Sequence, residues 1–298
     1  MRRQGYWLVV SAFLFTSSLL QATELKITTF NVKNYGGGGL LYGDHEEAWS
    51  DKIAADEHRD KTIREFMKRE QIFSSDVIAF QEVLDVDRLQ KKILDKVFAC
   101  TSYKLETKEQ HVVICLKGDY EFVKAPDDNN FILEDIALGN LRPAVHGIIK
   151  DKKTGDELIH IFAVHLKAFP EAFDTRLNQI GILAKYLKEK QDQTPSVILG
   201  DFNSYDNEPE KFDDIFNQQG LPIVEIETQV SYTYRTTKYK SKFDRFWIDH
   251  AALSSDPPEV SGPCNNASNS EGEGYQNISY YNKNVSDHCP VTIHVRVD

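Results

Sequence analysis

Val197-Ile198-Leu199-Gly200-Asp201-Phe202-Asn203-Ser204 decides the reading of this chain. An apolar run ends in a glycine, and then offers a carboxylate and an amide two residues apart. The run reads as a buried strand that delivers Asp201 and Asn203 to the carboxyl edge of a sheet. In a strand, residues i and i+2 point the same way, so both groups are expected on one side, where a hard cation and a phosphate oxygen can be gripped. The plainer reading is a turn whose Asp and Asn bond their own backbone. The rest of the chain decides between the two.

Other strands end in the same manner. Residues 25–32 alternate, are rich in β-branched residues, and bring Asn31 to the strand's end. Residues 76–80 form a buried strand followed by Gln81-Glu82. Residues 157–166 form a strand that carries His165, residues 242–253 one that carries Asp249, and Asp287-His288 precede a last strand over 290–297. Each has a plain account alone: a turn, a helix cap, a satisfied core histidine. Together, strand ends bearing carboxylate, amide or imidazole describe a sheet edge that builds a site.

Between these strands the pattern predicts helices over 45–70 (Ile63, Phe66 and Met67 on one face), 86–97, 170–191 and 209–218. Further strands are expected near 99–105, 110–117, 120–124, 144–150 and 231–235, with a glycine loop at 36–39 and polar loops at 127–130 and 256–284. Strands interleaved with helices predict an α/β fold of two packed mixed β-sheets flanked by helices, a four-layer sandwich.

Residues 1–22 have the parts of a signal peptide: Arg2-Arg3, a mostly apolar stretch and a small-residue end at Ala22. That predicts a secreted or periplasmic protein, with residues 23–298 as one catalytic domain because the chemistry-bearing residues spread from Asn31 to His288 without a linker. No later stretch is long and apolar enough for a membrane span. The four cysteines are even in number, as expected outside the cytosol. A chain reversal near Thr107-Lys108 would face Cys100 to Cys115, which leaves Cys264 for Cys289.

The net charge of −11 opposes binding of an anionic polymer by bulk charge. One local basic strip stands against it, Arg235 to Arg245 with Lys238, Lys240 and Lys242 between and Tyr234, Tyr239 and Phe243 interleaved. Asn266, Asn277 and Asn284 each begin a glycosylation sequon.

Thr29-Phe30-Asn31-Val32, Phe80-Gln81-Glu82-Val83, Val164-His165-Leu166, Gly200-Asp201-Phe202-Asn203 and Ser286-Asp287-His288-Cys289-Pro290 resemble, in order and approximate spacing, the endonuclease/exonuclease/phosphatase superfamily. The likeness runs from Leu25 to the end of the chain. Within the superfamily it is nearer to the deoxyribonuclease I-like enzymes, because Lys108-Glu109-Gln110-His111 and Arg142-Pro143-Ala144 resemble further segments of that group and because His165 is present.

The resemblance implies roles. Glu82 would bind a divalent cation, with Asn31, Asp201, Asn203 and Asp287 around it. His288 would be general base, oriented by a late-strand Asp, for which Asp249 is preferred to Asp244. His165 would act as acid or phosphate clamp, oriented by Glu109. Arg142, with Asn203, would contact the substrate phosphate. Oxygen and amide ligands favour Mg²⁺ or Mn²⁺ over zinc, and structural Ca²⁺ in the acidic loops is a further option. The expected activity is metal-dependent endonucleolytic hydrolysis of DNA, with RNA tolerated, by a monomer that does not insert into membranes. The alternatives are a lipid-directed phosphodiesterase or phosphatase, sphingomyelinase-like or acting on phosphoinositides, and a catalytically inactive binding module.

Overall fold

The computed structural model describes residues 23–37, 52–103, 110–124, 131–190, 193–252, 256–265 and 273–297. Residues 1–22, expected as a signal peptide, residues 38–39 of the glycine loop, the start of the helix expected from residue 45, Glu109, the polar loop at 127–130 and the Asn266 sequon lie outside them.

In chain order the strands are β1 (Thr23–Tyr35), β2 (Val77–Val83), β3 (Phe98–Ser102), β4 (His111–Lys117), β5 (Tyr120–Val123), β6 (Ile132–Leu133), β7 (Ala144–Asp151), β8 (Glu157–His165), β9 (Ser196–Asp201), β10 (Ile223–Glu225), β11 (Tyr234–Arg235), β12 (Lys240–Ser241), β13 (Asp244–Asp249), β14 (Glu259–Val260) and β15 (Val291–Val297). The α-helices are α1 (Lys52–Arg69), α2 (Val86–Arg88), α3 (Phe173–Glu189), α4 (Glu208–Gln218) and α5 (Ile278–Asn284). One sheet runs β14-β15-β1-β2-β4-β3, and the other β10-β13-β9-β8-β7-β5 with β6 on β7. Strands β1 and β2 pair in parallel, as do β8 and β9; their neighbours are antiparallel, so both sheets are mixed.

Alternation along the second sheet explains the layers. Ile161 and Ala163 of β8, Val197 and Leu199 of β9, and Phe246 and Ile248 of β13 join the core shared with the first sheet. Their in-between neighbours Phe162, Val164, Ile198 and Trp247 face the other way, onto Ile180 and Leu183 of α3 and Phe212 and Phe216 of α4. Such a strand is apolar on both faces, which is why 197–199 reads as an unbroken hydrophobic run. Ile63, Phe66 and Met67 of α1 bury against the first sheet, each such side chain contributing roughly 1.5–3 kcal/mol by burial.

Three expectations need correction. The helix expected over 86–97 breaks after α2 into a π-helical stretch, Leu89–Leu94, and a 3₁₀ turn, Asp95–Val97. The stretch expected as one polar loop over 256–284 carries β14 and α5; Asn277 caps α5 by accepting from Tyr280 N at 3.0 Å, and Ile278 and Tyr281 bury beneath it. The basic strip is in part internal. Arg235 and Arg245 are buried, Arg235 on Pro263 O and Arg245 on Glu225.

Both expected disulfides are present, Cys100–Cys115 and Cys264–Cys289. The first joins directly opposed residues of β3 and β4. Asn284 of the third sequon is buried, with its amide on Tyr280 O.

Candidate functional site

The two sheets bring their decorated strand ends to one edge. Strands β8 and β9 pair in parallel with His165 opposite Asp201, and β13 lies antiparallel on β9 with Asp244 opposite Asp201. From the first sheet, β1 presents Asn31 and β2 presents Glu82. Asp201 Oδ2 is where these groups meet. Asn31 Nδ2 donates to it at 2.9 Å, and His165 Nε2 and His288 Nε2 stand 3.6 and 3.7 Å away. The same Asn31 nitrogen donates to Glu82 Oε1 at 3.1 Å, so one amide bridges two carboxylates.

Asp201 and Asn203 do not share a strand face. The strand ends at Asp201, and Asn203 takes φ 48°, a left-handed turn in which its N–H donates to Asp201 Oδ1 at 2.9 Å. The turn is therefore present, and it does not remove Asp201 from the cluster of polar strand ends. The turn fixes one oxygen of Asp201 and leaves the other to the site. Glu82, at φ 58°, is held in the same uncommon region, as strained residues at functional sites often are.

His288 Nδ1 lies 2.8 Å from Asp244 Oδ2. The expected partner, Asp249, sits at the far end of β13, where its carboxylate accepts from Ala251 N at 3.0 Å as the strand turns into a 3₁₀ segment. The strand is six residues long, and only its Asp244 end reaches the site. The segment before His288 is pinned as well. Ser286 Oγ donates to Asn31 O at 2.7 Å and accepts from His288 N at 3.1 Å.

The environments of the two histidines differ. Burial, aided by the positive charges of Arg142 and His288, holds His165 well below the usual imidazole range, so its ring is neutral. Its Nδ1 is buried and has no partner among the described residues. Burial also disfavours charge on His288, but Asp244, Asp201 and Asp287 outweigh it and push the imidazole up to about 10. Burial raises Asp201 to about 6.

Arg142 stands behind His165 rather than lining the cleft. Its Nη1 donates to Gln110 Oε1 at 2.8 Å and its Nε to His165 O at 3.4 Å. Gln110 in turn donates to Glu82 Oε2 at 3.3 Å and to Asn34 Oδ1 at 2.6 Å, tying Arg142 to the site's carboxylate. Nothing in the sequence marks Gln110 for this role beyond its place after Glu109. Asp287, expected among the cation's ligands, pairs with Lys33 at 3.2 Å.

Glu82, His165 and Asp201 offer ligand atoms within 4.8 Å of one another, as do Asp201, Asp244 and His288. The donor set fits a hard divalent cation. Two carboxylates converge on a single neutral amide, and the excess negative charge is what such an ion relieves. Glu82, His165, Asp201 and His288 floor a cleft of about 690 Å³ whose other wall is aromatic, with Phe169, Tyr205, Tyr234, Tyr239 and Phe243. Arg176 fixes that wall. Fully buried, it grips Glu208 with two hydrogen bonds, at 2.9 and 2.7 Å, and donates to Lys167 O and Phe169 O.

Residues 28–288 match the profile of the Endonuclease/Exonuclease/phosphatase family. Solved structures share the fold. Humanized TDP2 from D. rerio superposes with a TM-score of 0.63 at 16% identity, over 91% of this chain and 98% of that one. D. rerio TDP2 complexed with a single-strand DNA product gives 0.58 at 16%, over 93% and 99%. The mannosyl-6-phosphatase Bt3783 of Bacteroides thetaiotaomicron gives 0.60 at 14%, over 92% and 99%. No curated protein matches the sequence.

Proposed function

The chain belongs to the Endonuclease/Exonuclease/phosphatase family, and from that premise we propose that it is a divalent-metal-dependent phosphoesterase that hydrolyses DNA internally, outside the cytosol. The observation that carries the reading is His288, set between Asp244 on Nδ1 and Asp201 near Nε2, at the floor of an open cleft.

Each group then has a task. Asp244 fixes the His288 tautomer, so that Nε2 faces the cleft to take a proton from the attacking water. A neutral His165 holds a non-bridging phosphate oxygen by a hydrogen bond, in the clamp role, rather than acting as acid. Asn31 spaces Glu82 from Asp201, and Asn203, its amide fixed by Leu166 O at 3.2 Å, shapes the cleft wall. A divalent cation held by Glu82 and Asp201 would neutralise phosphate charge and offset the carboxylates that keep the proton on His288.

Two features support a nucleic acid as substrate. The turn of the β11–β12 ribbon places exposed Tyr239 at the cleft, where an aromatic face suits stacking on a base. One structural neighbour was solved with a single-strand DNA product. The two disulfides support a compartment outside the cytosol. No described helix is long and apolar enough to cross a membrane.

The test is nicking of supercoiled plasmid by oxidised protein, with Mg²⁺ and with EDTA, beside sphingomyelin, a phosphoinositide and a hexose 6-phosphate. Metal-dependent nicking that vanishes in His288→Ala is the expected result. Release from a lipid or a sugar phosphate without nicking would move the substrate and keep the site.

A further inference from the structure

Helix α1 buries a stripe, and one member of that stripe is charged. Arg59 lies four residues before Ile63 and seven before Phe66, so it shares their face. It is 4% exposed. A guanidinium is rarely buried this far without a carboxylate beside it. Yet every hydrogen bond of Arg59 among the described residues leaves from Nη2 and ends on a main-chain oxygen: Val32 O at 2.7 Å, Lys33 O at 3.1 Å and Val285 O at 2.9 Å. Its Nε is buried without a partner among the described residues.

These carbonyls need a donor from outside the sheet. Strand β1 pairs with β15 only as far as Thr29 opposite Val291, and its pairing with β2 breaks between Asn31 and Tyr35. Val32 and Lys33 fall in the break, and Val285 lies before β15 begins. A carbonyl shielded from water and left off a ladder must find its partner elsewhere. The same two segments carry Asn31, whose amide bridges Glu82 and Asp201, and His288. Ser286 adds a second tie between them, since its Oγ donates to Asn31 O at 2.7 Å and accepts from His288 N at 3.1 Å. The neighbour of Arg59 works on the same end of β1. Asp60 accepts from Tyr35 OH and takes two bonds from Arg88, which follows β2.

We propose that Arg59 is a positioning residue of the site. Through the main chain of Val32, Lys33 and Val285 it holds Asn31 in register with His288, in place of the ladder bonds that β1 and β15 lack there. This rests on the phosphoesterase reading above. The carboxylates that Asn31 spaces and the imidazole of His288 must act on one phosphorus centre, and a displacement of about 1 Å can cost about 10²-fold in rate. An apolar side chain would fill the same space and be easier to bury. It would leave three carbonyls without their donor and the two segments free to part.

The experiment uses Arg59→Met, Arg59→Lys, Ser286→Ala and, as a control on the α3 side of the second sheet, Leu187→Ala, all in the oxidised protein. It reads thermal midpoints, kcat and KM with bis(p-nitrophenyl) phosphate, and amide hydrogen exchange by mass spectrometry. At a temperature where all are folded, Arg59→Met is expected to lose about 10²-fold in kcat with KM little changed. Exchange should quicken most in peptides covering 31–35 and 285–289. Leu187→Ala should lose stability through its cavity and keep both kcat and the exchange of those peptides. Arg59→Lys, which keeps a charged donor, should recover part of the loss. Arg59→Met/Ser286→Ala should lose more than the product of the single losses, since the two ties act in parallel. A kcat in Arg59→Met within about twofold of the control, or exchange that quickens evenly along the chain, would overturn the positioning role. Should Arg59→Met not fold, Arg59→Lys and Ser286→Ala decide, and wild-type kcat and exchange in both would overturn it equally. Absence of hydrolysis by the wild type would overturn the phosphoesterase reading and the positioning role with it, a result distinct from an active wild type beside an unimpaired variant.

Discussion

Asp244 and His288 lie 44 residues apart in sequence, and the carboxylate Oδ2 of one meets the imidazole Nδ1 of the other at 2.8 Å. Strand β13 begins at Asp244 and is paired to Asp201, so the acid is placed by sheet register rather than by a loop. Thr233 Oγ1 accepts from Asp244 N at 2.8 Å and fixes that strand end. Asp244→Asn is therefore expected to lower kcat by about 10³- to 10⁴-fold, the scale seen when a histidine's orienting carboxylate becomes an amide. Asp249→Asn should leave kcat within about twofold, since surface changes away from a site rarely matter. Initial rates of plasmid nicking for the two variants check the assignment. A large loss in Asp249→Asn alone would reverse it.

Metal removal gives the second expectation. Asn31 Nδ2 donates to both Glu82 and Asp201, and His165 Nε2 stands 4.0 and 3.6 Å from the same two carboxylate oxygens. EDTA should abolish hydrolysis. Added Mg²⁺ should raise the thermal midpoint, because a ligand at about 100 times its Kd stabilises by about 2.7 kcal/mol. In Glu82→Gln that rise should disappear while the metal-free midpoint stays near the wild-type value. An undiminished rise would place the cation elsewhere.

The disulfides separate stability from activity. Cys264–Cys289 spans 25 residues and Cys100–Cys115 spans 15, so each should contribute about 3 kcal/mol in the chain-entropy picture. Only the first is attached to the site, since Cys289 follows His288 and donates its N–H to Thr233 O at 2.7 Å. The double variant Cys264→Ser/Cys289→Ser should lose both stability and kcat. Cys100→Ser/Cys115→Ser should lose comparable stability and keep kcat at a temperature where both remain folded. Denaturant unfolding beside steady-state rates tests the contrast, and equal kcat losses would refute it.

What the sequence made legible follows from period and composition. Leu25–Val32 and Val197–Leu199 are apolar and β-branched at strand spacing, so the strands and the polar groups at their ends could be placed. Asp244 could not be ranked above Asp249, because both are acids on one strand and only the pairing of β13 with β9 says which end meets the site. Helix α5 was hidden in a run of Asn, Ser, Tyr and Gly; it exists through one Asn cap and the burial of Ile278, Tyr281, Asn282 and Asn284, not through periodicity. Arg59 had a faint signal, a charge on the apolar stripe of a helix. Its partners, the carbonyls of Val32, Lys33 and Val285, had none. Tertiary contacts of this kind leave no local pattern to read.

Gly200 carries the last prediction. Its φ is 138°, and a Cβ placed there would lie 2.0 Å from Val164 O. Val164 is its direct partner across the parallel β8–β9 pair, one step before His165 meets Asp201. The glycine is what lets the two strands close at the point where they deliver the site. Gly200→Ala must either force the strands apart or twist the backbone out of a region that alanine avoids, and both disturb Asp201. A loss of about 3 kcal/mol or more is expected, in the class of severe backbone effects. kcat should fall as well, since about 1 Å of displacement at a catalytic group can cost about 10²-fold. Gly181→Ala is the control. That glycine lies within α3, a Cβ added to it would meet nothing within 4 Å, and the change should stabilise slightly, by about 0.5–1 kcal/mol. Thermal unfolding and nicking rates of the two variants decide the matter. Wild-type stability and activity in Gly200→Ala would mean that the close approach of β8 and β9 is not what aligns His165 with Asp201.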